Sequence, residues 1–540
     1  EKHNLTLIAG YNYEAKYYRD LTAANDGLLS EDLSDFNLAK GTTNFTLNGG
    51  RNEYAIMGWF YRAAYDYKGK YLAEVNGRYD GTSRFPRGKR YGFFPSFSAA
   101  YRISEEAFFE PLRKTVDNLK IRLSYGSLGN QQIGYYDFIQ TITTKGSMGD
   151  YSFDGTILGQ HATVSDPVSG NQTWEKVISK NLGADLNMFS NRLSLTADFY
   201  IRDTKGILGK GKSLPSIYGA NEPQVNSNNL RTKGYELVLG WRDSFKLAGS
   251  TFSYGITGTF SDYTAEYTKC DNPSGLIGDP YVGKKYGEIW GYKVDGLFRN
   301  DEEAAEYASR VDLSKVAAGY YSATGAYGKG VRGGDIKYLD LDGSGIVDGG
   351  KGTLEDPGDR RVIGNSSPRY QYGLTLNLSW YGFDLSVFMQ GIGRLDWYPG
   401  ADNLRFWGPY SRPYATFIPK NFMSQVWSES NPDAYLPRAR AYTSLNSTQG
   451  TAYYTNDRYL QNLAYCRLKN LTLGYTIPKR LTSKVGIKEC RVYFSGENLA
   501  TWSALKNDFL DPEQAAANSD KKSNVYPWCR TYSVGLNLTF

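Results

Sequence analysis

Between Asp340 and Asp348 the chain reads DLDGSGIVD. Oxygen-bearing groups recur at alternate positions there: Asp340, Asp342, Ser344, the backbone carbonyl of Ile346, and Asp348. Oxygen ligands at positions 1, 3, 5, 7 and 9, with glycine at 6 for the sharp turn, are what a loop needs to wrap a hard cation such as Ca2+. Gly345 stands at the sixth position. The bidentate acid expected at position 12 is replaced by Lys351, so Asp356 or Asp359 would have to supply that ligand after an insertion. The expectation is a structural Ca2+ rather than a transported one. The competing reading is an Asp/Gly-rich turn of the same shape that holds no ion. No further cofactor is required.

A second constellation lies in 398–458, where Phe406, Trp407, Tyr410, Tyr414, Phe417, Trp427 and Tyr435 gather beside Asp402, Asn403, Arg405 and Arg412. Flat aromatic faces can stack on sugar rings or against a protein lid, and the polar side chains can fix orientation. The alternative is that the rings fill the interior of their own loop. For catalysis there is no support. The chain has no nucleophile elbow, no metal-histidine pair and no phosphate-cradling loop, and Gly391-Ile-Gly393 lacks the third glycine and a following helix. Spacing selects no carboxylate dyad. His3 and His161 are isolated. The chain reads as a non-enzyme.

The elements that must position these loops are strands. In 370–380, Tyr370, Tyr372, Leu374, Leu376, Leu378 and Trp380 alternate with small and polar residues, and 383–389 returns with the same period. A period of two puts the apolar set on one face. The pair predicts a hairpin turning at Tyr381-Gly382. Similar segments are Asn191 to Ile201 (with Leu193, Leu195, Ala197 and Phe199 outward), Gly234 to Trp241, Asn470 to Ile477, Val492 to Leu499 and Tyr532 to Phe540. About 15 such segments are expected, several near the ~10 residues that a tilted strand needs to cross a bilayer. Tight turns are expected at Lys68-Gly69, Ser190-Asn191 and Tyr381-Gly382, and long loops over 18–52, 204–229, 267–365 and 398–458. Short turns on one rim and long loops on the other are the outer-membrane arrangement. Within the longest loop, Asp301 to Arg310 predicts a short helix with an N-cap candidate and acidic first turn.

Composition agrees. The 540 residues are 40% hydrophobic and 15% aromatic, with 46 Tyr, 25 Phe and 10 Trp, and the mean hydropathy is −0.52. No window approaches the ~18 consecutive apolar residues of a spanning helix, whereas a β-barrel needs only alternate residues to face lipid. The net charge of +6 is dispersed, with no basic block that would suit nucleic acid. Some outward basic residues near strand ends can meet lipid headgroups, although a solvated loop surface is the plainer reading. Cys270, Cys466, Cys490 and Cys529 show no metal or redox spacing and are read as free thiols. Parity points Cys490 toward lipid and Cys529 inward.

Several passages resemble one family, the SusC/RagA-like TonB-dependent outer-membrane transporters of Bacteroidetes. They are YLAEVNGRYDGTSRFPRGKRYGFFPSFSAAYRISEE (71–106), NLKIRLSYGSLGNQQIG (118–134), VGKKYGEIWGYKVDGLF (282–298) and GDIKYLDLDGSG (334–345). IGNSSPRYQYGLTLNLSWYGFDLSVFMQG (363–391), YCRLKNLTLGYTIPKRL (465–481) and the terminal strand match too. The resemblance is colinear over essentially the whole chain. It implies an all-β fold: an antiparallel transmembrane β-barrel of which residues 1–540 form the C-terminal portion, about 14–15 strands of a 22-stranded barrel with long extracellular loops. The signal peptide, N-terminal domain, TonB-contacting segment and plug of that family are not in this sequence. Another polypeptide segment is therefore expected to complete the wall, because open strand edges in lipid cost several kcal/mol per unpaired group. The function implied is TonB-dependent import of oligosaccharides, or of oligopeptides, together with a SusD-like surface lipoprotein. The alternatives are a passive porin complete in this chain, or a glycan-binding adhesin anchored by the barrel.

Overall fold

The computed structural model describes residues 2–145, 152–153, 156–157, 161–212, 214–321, 330–412, 414, 416, 418–440, 445, 450, 452–507, 509–516 and 528–540. One sheet of fourteen strands dominates it. In chain order these are β1 (His3–Ala24), β2 (Thr46–Tyr67), β3 (Tyr71–Thr82), β4 (Tyr91–Arg102), β5 (Val116–Asn130), β6 (Glu175–Met188) and β7 (Leu193–Lys210). There follow β8 (Gln224–Leu247), β9 (Ser250–Lys269), β10 (Arg369–Trp380), β11 (Phe383–Arg394), β12 (Tyr465–Thr476), β13 (Glu489–Ser503) and β14 (Thr531–Thr539). Each pairs with its sequence neighbours, and β1 and β14 do not pair with each other among the described residues. No helix is long and apolar enough to cross a membrane.

Connections alternate between short and long. Lys68-Gly69, Ala248-Gly249 and Tyr381-Gly382 have both residues at positive φ (55° and 65°, 48° and 83°, 50° and 83°). That is the left-handed pair of a type I′ turn, whose twist matches the flanking strands. The first and third are among the expected turns, whereas Ala248-Gly249, an X-Gly pair like them, is not. At the predicted Ser190-Asn191 turn, Phe189, Ser190 and Asn191 are all left-handed. The strands run further than their alternation suggests, so the loops predicted over 18–52 and 204–229 shrink to 25–45 and 211–223. The predicted helix is α1 (Asp301–Ala308), but its N-cap is Asn300, whose side chain accepts from the Glu303 N–H. Asp301 is the first helical residue instead.

The chain forms two compact units, one of Glu1–Arg102, Arg122–Leu182 and Ile201–Arg231, the other of Ile103–Ile121, Gly183–Tyr200 and Thr232–Phe540. In the first, aromatic residues on one face form two bands. Tyr67 stacks on Tyr71 at 6.3 Å and Tyr71 on Tyr101 at 5.1 Å. Further along, Tyr11, Trp59, Tyr79 and Tyr91 form a chain at 5.2, 6.4 and 5.4 Å. Trp59 and Tyr67, and Tyr79 and Tyr71, are eight residues apart, and Phe93, in register with Tyr79, lies eight from Tyr101. The second unit repeats the interval. Phe199, Tyr235, Phe260 and Tyr372 make one band, and Phe252, Trp380, Phe383 and Tyr475 the other. Phe252 and Phe260, Trp380 and Tyr372 again differ by eight. Eight residues span about 27 Å along a strand, and a tilt of roughly 40° lowers this to near 20 Å, close to the apolar band of a membrane barrel. Leu374 and Leu376 lie between the bands, and Leu374 is exposed.

The opposite face is polar and pinned by ion pairs: Arg62–Glu74 in the first unit, Arg491–Asp384 in the second. Arg491 and Asp384 reach one another across β12, where Gly474 lies in register with both residues' strands. A Cβ on Gly474 would sit 2.5 Å from each charged group, so only glycine leaves room for the pair. All four cysteines are free, as expected. Cys490 keeps the parity of Val492 and Phe494 but is buried, and the helical turn Lys479–Thr482 packs onto its strand. Cys529 is exposed.

The two faces predict opposite tolerance to charge. Leu376→Lys, midway between the bands, should destabilise the membrane-inserted protein by about 2–4 kcal/mol, whereas Thr375→Lys on the polar face should change little. Equilibrium unfolding from lipid vesicles measures both, and equal losses would refute the assignment of faces.

Candidate functional site

The long loops of the second unit carry their own apolar core. Tyr320, Tyr338, Phe298, Leu313, Ile336 and Leu463 are fully buried in it. Short antiparallel ladders frame it: Glu288–Tyr292 with Arg360–Asn365, Val294–Leu297 with Ile336–Tyr338, and Asp396–Trp397 with Gln461–Asn462.

Most of the candidate ligand-contacting aromatics belong to this core. Phe406, Trp407, Tyr410 and Trp427 are 5%, 0%, 2% and 6% exposed and present no free face. Asn403 is buried and caps the helical turn Leu404–Trp407 by accepting from the Phe406 N–H at 3.0 Å. The Trp407 indole donates to the Gly400 carbonyl at 3.1 Å and the Tyr410 hydroxyl to that of Pro437 at 2.5 Å. Tyr435 packs against the same cluster, and the Arg405 carbonyl accepts from Asn507. Burial of apolar area outweighs exposure of stacking faces here. Asp402 and Arg412 remain at the surface as an ion pair at 3.3 Å, and Tyr414 is 81% exposed. Phe417 lies outside the described residues.

Two charge clusters escaped the sequence reading. Arg440 donates to both oxygens of Asp335 at 2.9 and 2.5 Å, with its guanidinium 4.1 Å from the Tyr320 ring, and the side chains are 5% and 1% exposed. Arg467, on β12, donates to Asp511 at 2.6 Å, Glu513 at 2.7 Å and the Thr501 hydroxyl at 2.9 Å. Lys469 also reaches Glu513, at 2.8 Å. Partners this far apart in sequence leave no spacing signal. The one available hint was Arg467 and Lys469 two apart on a strand with no acid beside them. This second cluster pins the segment after β13 to the strand wall.

The cation-loop candidates are brought together only in part. Asp340, Asp342 and Asp359 each offer a carboxylate oxygen within 4.8 Å of the others. Asp359, one of the two acids considered for the missing ligand, takes the place that Ser344, Ile346 and Asp348 were expected to share. The Ser344 hydroxyl instead donates to the Ile346 carbonyl, and Asp348 accepts from the Gly350 N–H. Backbone amides fix the three acids: Gly343 and Gly345 donate to Asp340, Ser344 to Asp342, and Leu341 and Asp348 to Asp359. A carboxylate has about four lone-pair sites, so these bonds orient the oxygens without exhausting them. Hydrogen bonds from Ser344 hold Asp342 below the ordinary carboxylate range, while burial pushes Asp359 up. The donor set of three hard oxygens fits a divalent cation.

At the short-turn end, a cavity of about 700 Å3 opens beside Arg192, Arg242, Asp243, Asn377, Asp384 and Ser386. These are polar-face residues or turn residues.

A family model described as TonB dependent receptor-like, beta-barrel matches residues 2–499. The chain is a TonB-dependent receptor barrel. Among its relatives, TonB-dependent receptor P3 of Formosa agariphila is 27% identical over all of this chain and 51% of its own length. TonB-dependent receptor SusC of Bacteroides thetaiotaomicron is 24% identical over 90% of this chain and 44% of its own length. The receptor barrel thus spans about half the length of the curated relatives it matches. The RagAB peptide importer in its open-open state superposes with a TM-score of 0.73 at 22% identity, over all of this chain and 53% of the other. That match shows the same fold. Receptor barrels of this family reside in the outer membrane, and the two aromatic bands are the local mark of it.

Arg467→Ala leaves Asp511 and Glu513 without their shared cation and should destabilise the receptor barrel by about 3–5 kcal/mol. The double variant Arg467→Met/Asp511→Asn, in which Glu513 keeps Lys469, should recover most of that loss. Thermal unfolding of both separates charge isolation from lost packing, and equal Tm values would show that the ions contribute nothing specific.

Proposed function

We propose that this chain forms the wall and the outer loops of an energised importer for oligosaccharides, with oligopeptides as the second cargo class. In this reading a SusD-like lipoprotein covers the loop end. TonB acts through a plug contributed by the part of the relatives' length that this chain does not span. The observation that carries the reading is the asymmetry of the rims: two-residue turns at one end, and at the other a folded mass of loops with its own core. A passive pore has no use for that mass, whereas a lid needs a rigid seat. The polar cavity beside Asp384 and Arg242 suits a plug held by hydrogen bonds, which can be displaced without exposing apolar surface. Asp402, Arg412 and Tyr414 are the exposed candidates of the 398–458 loop, among the described residues, for contact with cargo or lid. RagAB, a peptide importer that shares this fold, supports the second cargo class.

The test is purification from native outer membranes through an internal tag in a short turn, followed by mass spectrometry of what co-elutes. A plug-bearing polypeptide, either continuous with this chain or separate, together with a surface lipoprotein is the expected result. A lone 60.5 kDa barrel with open conductance would overturn the proposal in favour of a porin. Ligand binding without uptake would favour an adhesin.

We propose further that Asp340, Asp342 and Asp359 hold a structural divalent cation. The ion requires ionised carboxylates, and burial raises the proton affinity of Asp359. Affinity should therefore fall as pH drops through the Asp359 titration. Chelation is expected to lower the Tm of the purified protein and to expose 334–365 to protease, and Asp359→Asn should mimic it. An unchanged Tm with no calcium uptake in titration would refute the site.

A further inference from the structure

Where the long-loop ends of β9, β10 and β11 meet the 286–288 and 362–367 segments, the second unit encloses a cavity of about 340 Å3. Neither the loop core nor the cation loop accounts for it. Its wall carries three cations, Lys285, Arg369 and Arg394, and one acid, Glu288. Arg369 and Arg394 are direct partners in the β10–β11 register. Two guanidiniums placed opposite one another repel, so each is held from behind. Asp262 accepts Nε and Nη2 of Arg369 at 2.6 and 2.5 Å, and Asp396 accepts Nε and Nη2 of Arg394 at 3.2 and 2.9 Å. Both carboxylates are buried, at 5% and 4% exposed, and neither lines the cavity. The Nη1 groups of both arginines make no hydrogen bond among the described residues.

Lys285 is exposed, and its ammonium has no carboxylate partner among the described residues. Glu288 is already engaged, accepting from the Lys285 backbone N–H at 3.2 Å and from the Tyr281 hydroxyl. The wall therefore presents an excess of positive charge with its counter-ions buried behind it. Tyr263, Tyr286 and Tyr370 also line it, beside Val362, Ile363 and the polar Thr264, Asn365 and Ser367. Tyr370, left-handed at φ 56°, interrupts the alternation of β10, and its ring stands 5.1 Å from the Arg369 guanidinium.

We propose that this cavity is a subsite of the import path for an acidic sugar, one bearing a carboxylate or a sulfate ester, with the anion among Lys285, Arg369 and Arg394. The inference rests on the importer reading above and narrows its cargo. Partly open guanidiniums recognise planar and tetrahedral oxyanions alike. A volume at the small end of the pocket range suits one ring and its charge. The three tyrosine rings favour a flat sugar face over an extended peptide.

The experiment is binding of four matched probes to the purified full-length transporter with its lipoprotein: an oligogalacturonate, a sulfated galactan oligosaccharide, a neutral galacto-oligosaccharide of equal length, and a glutamate-rich peptide. One or both acidic sugars should bind at least ten times more tightly than the neutral one. Lys285→Glu should remove that preference, and Lys285→Gln should reduce it about threefold. Lys285 is the clean position, because replacing either arginine strands a buried acid. Equal affinity for acidic and neutral sugars, indifference to Lys285→Glu, or preference for the peptide would each overturn the subsite. Cellular uptake of the neutral probe, run in parallel, separates the two readings. Uptake without acidic preference sinks only the subsite, whereas no uptake of any probe sinks the importer as well.

Discussion

Hydrocarbon offers no partner to a backbone N–H or C=O, and this single fact organises the molecule. Every spanning residue must find its hydrogen bond in a neighbouring strand, which is why fourteen strands pair in unbroken sequence order. Irregular chain is confined to the regions beyond the aromatic bands. The same constraint bears on β1 and β14. Each has one ladder side with no partner among the described residues. Alternation follows from pairing. Once the backbone is satisfied, the two faces are free to differ, one apolar and ringed, the other polar and charged.

Charge is handled in two ways. On the polar face of the sheet, pairs such as Arg62–Glu74 sit partly in solvent, where they fix side-chain positions more than they stabilise. In the loop core Asp335–Arg440 is almost wholly dehydrated, and on β12 the Arg467 guanidinium is buried against partly exposed acids. Such ions are costly to bury and costlier to separate, so they act as geometric locks. Arg467 is the clearest case, tying a strand to the segment that follows β13. Among the described residues, the loops are therefore tied together by a buried ion pair as well as by an apolar core.

The strands were legible in the sequence because a period of two is a local property. The hairpin at Tyr381-Gly382 and the terminal segment from Tyr532 follow their alternation closely. The loop interior was not legible. Whether Trp407 or Tyr410 faces a ligand or a core depends on residues far away in the chain, and only burial decides between the two readings. The cation loop shows the boundary well. Asp340 and Asp342 were readable from local spacing, but the third acid, Asp359, arrives through a turn that spacing alone could not close. Arg369 and Arg394 were likewise invisible as a pair until β10 and β11 were set in register.

The eight-residue interval between aromatic bands acts as a molecular ruler. It recurs on five strands in two units, so the protein carries a fixed apolar height that its surroundings must match. A thicker bilayer would have to thin against the wall and a thinner one would stretch or leave rings in water, each at a fraction of a kcal/mol per ångström. Over a perimeter this long those fractions accumulate, and the barrel becomes a sensor of membrane thickness. Its insertion and lateral sorting will depend on acyl-chain length as much as on any binding partner.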